Sequence, residues 1–197
     1  MKLAAIVLAA GMSRRMGQPK MLLPWGETTV LGQAAITLAA CDVDEIIIVT
    51  GGAREAVEAE AARLAENFPA RAIFNAHYQA GEMMSSIRAG LAGLGPEMAA
   101  TLIALGDQPQ LSLDSARRVV SAWKMSGARL IIPSFNLRRG HPWLVGRALW
   151  PALTKAETGR VFLNAHADEI VYVDCDETVL KDLDTPEDYA RDLKSAG

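Results

Sequence analysis

The sequence predicts an α/β protein, a single domain of three layers in which helices cover both faces of a mainly parallel sheet. Three observations carry this. Leu3–Ala9 is a continuous apolar run, the pattern of a strand covered on both faces. Further short apolar runs alternate with segments of helical composition or periodicity. The connections are short, so successive strands are expected to lie parallel with helices crossing between them.

In order, the strands are expected at Leu3–Ala9, Glu45–Thr50, Arg71–Asn75, Ala100–Leu105, Ala128–Pro133 and Glu169–Val173. Helices are expected at Thr29–Cys41, Arg54–Asn67, Met83–Leu94, Ser112–Ser126 and Phe162–Ala167. Pro186–Lys194 reads as a closing helix, with Thr185 as its N-cap, Pro186 at the first position and acidic residues in the first turn. No repeat or linker interrupts the chain. Residues 1–133 read as the core of a Rossmann-like αβα sandwich, 134–167 as a less regular insertion, and 168–197 as the closing strand and helix.

The totals exclude several classes. The net charge of -3 lacks the basic stripe of a polynucleotide binder, so no nucleic-acid partner is expected. Basic residues gather instead at Arg14-Arg15-Lys20 and Arg138-Arg139, which suits a small anion. No stretch reaches ~18 uncharged apolar residues, so no membrane span is expected, and the N-terminal run reads as a strand rather than a signal peptide. Cys41 and Cys175 show no metal spacing and read as small buried hydrophobes in a reducing compartment, by default the cytoplasm.

In such sheets, ligands sit beyond the carboxyl ends of the strands. After Ala9 the chain runs through Ala10, Gly11, Ser13, Arg14, Arg15, Gly17, Pro19 and Lys20 without convincing periodicity. A connection this long is functional or disordered, and its glycines, hydroxyl and cations make it a phosphate cradle by composition. The spacing fits neither GxxxxGK[ST] nor GxGxxG. A solvated surface loop is the plain alternative.

Three more clusters follow strand ends. ATLIALGDQPQL puts Gly106-Asp107 where a ligand would sit, and a carboxylate is the proper donor for Mg²⁺. DLDTPEDY supplies a second acid. Asp184 lies just outside the helix opened by Thr185-Pro186, whereas Asp188 is explained by its place in the first turn. Asn75, Gly81, Ser85 and Ser86 follow the third strand, as helix caps or as polar contacts to a base. RRGHPWL sets His141 among cations, with Gly140 and Pro142 fixing its backbone. His77 reads as a surface residue and His166 as structural.

LAAGMSRRMGQPK resembles the signature LAxGxSxRMGxxK of the nucleotidyltransferases related to molybdenum cofactor biosynthesis, the molybdenum cofactor cytidylyltransferase or MobA-like NTP transferase family. A stretch from Asn75 through Gly81 to Ser86 that is comparable to the family's Asn…Gly-Met-x-x-Ser, then GDQP, RGHP and D-T-P-E-D, follow in the family's order, so the resemblance covers Leu3 to Tyr189. It implies a nucleotidyltransferase-type fold, with nucleotide bound by residues 1–133 and the acceptor facing the insertion. It implies Mg²⁺ on Asp107 and Asp184, catalytic roles for Lys20, Arg15 and Asp107, and nucleotide contacts at Leu8, Ala9, Ala10, Gly11, Ser13, Arg14, Lys20, Asn75, Gly81, Ser86 and Gly106. Gly140 and His141 fall on the acceptor side.

The expected reaction moves a nucleoside monophosphate from CTP or GTP to a phosphorylated acceptor and releases pyrophosphate. Leu8-Ala9-Ala10-Gly11 stands where guanylyl-transferring relatives read LAGG, and the Ala10 methyl narrows the space beside the base, which suits a pyrimidine. CTP and molybdopterin are therefore favoured, with a molybdoenzyme as eventual recipient. A guanylyl- or sugar-phosphate nucleotidyltransferase of the same fold is the enzyme alternative. A non-catalytic maturation partner of a molybdoenzyme is the alternative of another class.

Overall fold

The structure is a computed structural model that describes residues 1–80 and 83–193. In chain order, β1 (Lys2–Ala9) is followed by a long loop with a 3₁₀ turn at Lys20–Leu22. A small hairpin, β2 (Pro24–Trp25) and β3 (Thr28–Thr29), then leads into α1 (Val30–Ala39). Next come β4 (Glu45–Thr50), α2 (Arg54–Ala65), β5 (Ala70–Phe74), α3 (Met83–Gly93), β6 (Met98–Leu105), α4 (Leu113–Ser126) and β7 (Leu130–Phe135). Residues 134–167 then form β8 (Arg138–Arg139), β9 (Trp143–Gly146), α5 (Trp150–Lys155) and α6 (Gly159–Ala165). The chain closes with β10 (Ile170–Asp174) and α7 (Pro186–Leu193).

Local chemistry sets the helix starts. The Thr29 hydroxyl accepts from Gly32 N at 2.9 Å, Ser112 from Ser115 N at 3.2 Å and Thr158 from Val161 N at 3.1 Å. At α7 the Thr185 hydroxyl accepts from Asp188 N, and the Asp188 carboxylate accepts from Thr185 N, both at 3.1 Å. This reciprocal box explains Asp188 structurally, as its position suggests.

The main sheet runs β10-β7-β9-β6-β1-β4-β5, with β8 on β7. Strands β1, β4, β5 and β6 are mutually parallel, and β10 is parallel to β7. Strand β9 is antiparallel to both neighbours. The segment read as an irregular insertion thus contributes an internal strand between β6 and β7. Four residues bounded by Pro142 and a 3₁₀ turn are too short for periodicity to reveal.

Alternate residues of β1 feed two cores. Leu3, Ala5 and Val7 pack with α1, α2 and α4, while Ala4, Ile6 and Leu8 pack with α3, α5 and α6. Each fully buried Ile or Leu contributes roughly 1.5–3 kcal/mol. A third, smaller core joins Met16, Leu23, Trp25, Val30 and Leu183, with Tyr189 and Leu193 packed against it. The Tyr189 hydroxyl donates to the Pro24 carbonyl at 2.6 Å. This last core matters for the site, because it holds the C-terminal segment against the loop after β1.

Candidate active site

From β1 the chain moves outward through β4 to β5, then returns to β6 on the other side of β1. The carboxyl ends of β1 and β6 therefore flank the switch point where such sheets bind ligands. A cleft of about 420 Å³ lies there. Leu8, Ala10, Gly11, Met12, Ser13, Arg14, Lys20 and Met21 line it from the first strand and loop; Tyr78, Met83 and Ser86 come from the β5–α3 side, and Leu105 and Asp107 from β6.

The loop is braced rather than loose. Ser13 adopts a φ of 47°, and its hydroxyl accepts from Lys20 N at 3.1 Å while its carbonyl accepts from Met16 N at 3.0 Å. Behind it, Gly52 N donates to the Ala10 carbonyl at 3.2 Å. A Cβ on Gly51 would stand 2.4 Å from that same oxygen, so only glycine fits. Among the described residues, no heavy atom lies within 4 Å of where a Gly11 Cβ would be, leaving space at the cleft.

At the cleft's mouth, charges from three parts of the chain converge. Lys20 Nζ pairs with Asp107 Oδ2, donates to the Leu183 carbonyl at 2.8 Å and lies 3.4 Å from Asp184 Oδ1. The Lys20 and Asp107 side chains are only 11% and 14% exposed. Arg15 Nη2 reaches Asp184 Oδ2 at 2.9 Å from solvent. Lys20 and Asp184 are 164 residues apart, brought together by the small core around Leu183.

Asp182 joins Asp107 and Asp184, with one oxygen from each lying within 4.8 Å of the others. Partial burial, then the neighbouring Asp107 and Asp184 carboxylates, push the Asp182 carboxyl up from the usual range. Three hard oxygen donors crowded this closely suit a small divalent cation such as Mg²⁺ or Mn²⁺.

The remaining expected residues fall at varied distances from the cleft. Ala9 is buried in the core, and Gly106 N donates to the Leu8 carbonyl at 3.0 Å beneath Met21. Asn75 is buried; its amide donates to the hydroxyls of Ser85 (2.9 Å) and Ser86 (3.1 Å), and its carbonyl oxygen accepts from His77 N. It ties the end of β5 to the start of α3, and of this set only Ser86 lines the cleft. Gly81 lies outside the described residues.

Gly140 and His141 are set back. A Cβ on Gly140 would stand 2.4 Å from the Val179 carbonyl, and His141 N donates to that carbonyl at 2.9 Å. The His141 ring stacks on Trp143 with centroids 4.8 Å apart, and its buried Nε2 has no hydrogen-bond partner among the described residues. Burial pulls the imidazole down to about 4, so the ring is neutral near pH 7. Trp143 and the cleft residue Met83 both lie within 3.0 Å of where a Gly159 Cβ would stand, so His141 is one ring removed from the cleft. Gln108 of GDQP is buried too, its Nε2 3.5 Å from the Val179 carbonyl.

The sequence did not point to Met12, Met21, Tyr78, Met83 and Leu105 in the lining, nor to the Gly51-Gly52 brace, and of the acids in DLDTPEDY it favoured Asp184 over Asp182. The two glycines did carry a signal, since they directly follow a strand's carboxyl end. Asp182 sits two residues before the chosen Asp184, and its role depends on the fold of an extended segment.

With this geometry in hand, similarity to known proteins becomes informative. The MobA-like NTP transferase domain matches residues 5–171. The chain is 34% identical to nicotine blue oxidoreductase of Paenarthrobacter nicotinovorans, covering 94% of each. It is 30% identical to molybdenum cofactor cytidylyltransferase of Escherichia coli (strain K12), covering 93% of this chain and 92% of that one. The structure of Rv0371c from Mycobacterium tuberculosis H37Rv superimposes with a TM-score of 0.82 at 28% identity, over 98% of both chains. Rv0371c in complex with manganese gives 0.77 at 27%, over 99% of this chain and 100% of that one. On the match over residues 5–171 and these full-length likenesses, the chain belongs to the MobA-like NTP transferase family.

Proposed function

We propose that this protein is a Mg²⁺-dependent nucleotidyltransferase that moves a cytidylyl group from CTP to molybdopterin and releases pyrophosphate. The observation that supports it best is the convergence of Lys20, Arg15, Asp107 and Asp184 at the mouth of a cleft lined by Leu8, Ala10, Gly11, Ser13 and Arg14. Cations for a triphosphate and carboxylates for a divalent ion meet at one point.

In the reaction, an oxygen of the acceptor's phosphate monoester attacks the α-phosphorus. A new P–O bond forms as the bond to the bridging oxygen breaks, and pyrophosphate leaves with that electron pair. The nucleophile is already anionic near neutral pH, so no general base is needed, and catalysis reduces to alignment and charge neutralisation. Asp107 and Asp184, with Asp182 beside them, would hold the divalent ion, which when bound supplies positive charge against the phosphoryl oxygens. The loop around Ala10 and Gly11 receives the triphosphate, and Arg15 and Lys20 offset negative charge on the leaving group. Ser86 contacts the nucleotide from the opposite wall, with Asn75 holding it in position. His141 and Gly140 support the acceptor side through Trp143. The Ala10 methyl and the 30% identity to a molybdenum cofactor cytidylyltransferase favour CTP and molybdopterin. A molybdoenzyme would then be the recipient.

The test is pyrophosphate release by purified protein with Mg²⁺, molybdopterin and either CTP or GTP. Release that is faster with CTP is expected; a tenfold preference for GTP overturns the choice of nucleotide. A second reading rests on the 34% identity to an enzyme named as an oxidoreductase. There the cleft would hold a redox nucleotide and the acidic cluster would serve no reaction. NADPH oxidation with a dye acceptor, in the absence of any pyrophosphate release, would favour it.

A further inference from the structure

We propose that Lys20 is a displaceable internal counter-ion, which keeps divalent-cation affinity low until nucleotide arrives and draws its ammonium away. This rests on the transferase reading above and deepens it. An ammonium group has three N–H donors. All three are taken up on the acidic side, by the Leu183 carbonyl at 2.8 Å, Asp184 Oδ1 at 3.4 Å and Asp107 Oδ2. None remains for a phosphate. Lys20 in this state occupies the place a divalent ion needs, touching two of the three carboxylates that crowd there.

Two cations cannot share these oxygens at low cost. With the Lys20 side chain only 11% exposed and that of Asp107 14%, water poorly screens the repulsion between the ammonium and an arriving metal ion. A metal arriving alone must push the ammonium off the two carboxylates, with only water in the cleft to replace them. A triphosphate lying along Arg14 and the Ala10–Gly11 turn offers the ammonium new partners on the cleft side. Lys20 can then exchange carboxylate for phosphate, and the vacated oxygens are free for the ion. Nucleotide and metal thereby assist one another, and linkage makes that assistance reciprocal. Arg15 also touches Asp184, but it is 68% exposed, so water screens its charge and its contribution is smaller.

The probe is Mn²⁺ alone, titrated into nucleotide-free protein and followed by electron paramagnetic resonance. Lys20→Met is expected to tighten Mn²⁺ binding about tenfold, within the usual range of coupling between sites. Lys20→Arg, which keeps the charge, should stay near wild type, and Arg15→Met should change binding less than threefold. Binding by Lys20→Met that is unchanged or weaker overturns the proposal. Independently of any variant, saturating Mn²⁺ should increase acetylation of Lys20 in wild-type protein, read by mass spectrometry; unchanged labelling also overturns it. If wild type binds Mn²⁺ with CTP present yet Lys20 makes no difference without it, this inference falls and the transferase reading stands. If Mn²⁺ binds under no condition, both fall.

Discussion

The backbone amide of Leu183 donates to the carbonyl of Asp107 at 3.0 Å, clipping the C-terminal segment to the end of β6. Leu183 is itself wholly buried in the small core with Met16, Leu23, Trp25 and Val30. One residue thus sets how far Asp184 stands from Asp107 and, through its carbonyl, anchors Lys20.

Leu183→Ala should cost about 2–5 kcal/mol of stability, the usual range for a buried Leu cut to Ala. It should also weaken Mn²⁺ binding in the folded fraction, because Asp184 loses its fixed position. A denaturant titration and a Mn²⁺ titration on one preparation check both. Normal Mn²⁺ affinity in a destabilised variant would mean that Leu183 packs the core without positioning the site.

Asp107→Asn keeps the shape and removes a charge. The expected outcome is a fall in turnover of 10²-fold or more, with no recovery across a Mg²⁺ titration, by analogy with losing one charge-stabilising group. Turnover that saturates with Mg²⁺ as in wild type would remove Asp107 from the cation site.

Much of this arrangement was legible in the chain, and the physics explains which part. A strand covered on both faces must be apolar throughout, so Leu3–Ala9 and Glu45–Thr50 stand out. Asp107 stands out as a candidate because it follows the carboxyl end of a buried strand, where such sheets bind ligands, and because GDQP resembles the family's motif. Asp184 reads as a candidate through the helix start at Thr185-Pro186, since capping chemistry is local. Residues whose role is created by tertiary packing were not visible. Tyr78 lines the cleft because its own turn stands beside Gly51, and Trp143 becomes part of an internal strand by pairing with Ile103. Gln108, next to Asp107 in GDQP, turns its side chain inward to the Val179 carbonyl.

His141 makes a prediction about pH. Burial lowers its folded-state value to about 4 from 6.5, so below pH 6.5 the unfolded chain binds a proton that the native protein does not. Stability contributed by the neutral ring is complete above pH 6.5 and lost as the pH falls towards 4, by on the order of 3 kcal/mol. Chemical denaturation between pH 7 and pH 4 should show this loss in wild type and a shallower one in His141→Phe, which keeps the stack on Trp143. Identical pH slopes would contradict it.

Ala10→Gly tests the nucleotide preference. Ala10 lines the cleft while its carbonyl is held by Gly52 N, so removing the methyl enlarges the cleft and leaves that hydrogen bond in place. The ratio of kcat/KM for GTP to that for CTP is expected to rise by about tenfold, the scale of one methyl-sized contact. A ratio that stays constant would move base selection to another residue.

The most direct measurement follows the α-phosphate itself. Purified protein is given Mg²⁺, molybdopterin and CTP labelled at the α-phosphorus, and the label is located by chromatography. Label should appear on the acceptor in step with pyrophosphate, and Asp107→Asn should cut the transfer by about 10²-fold or more. Label that remains in CTP, or transfer that proceeds equally well in Asp107→Asn, would contradict this.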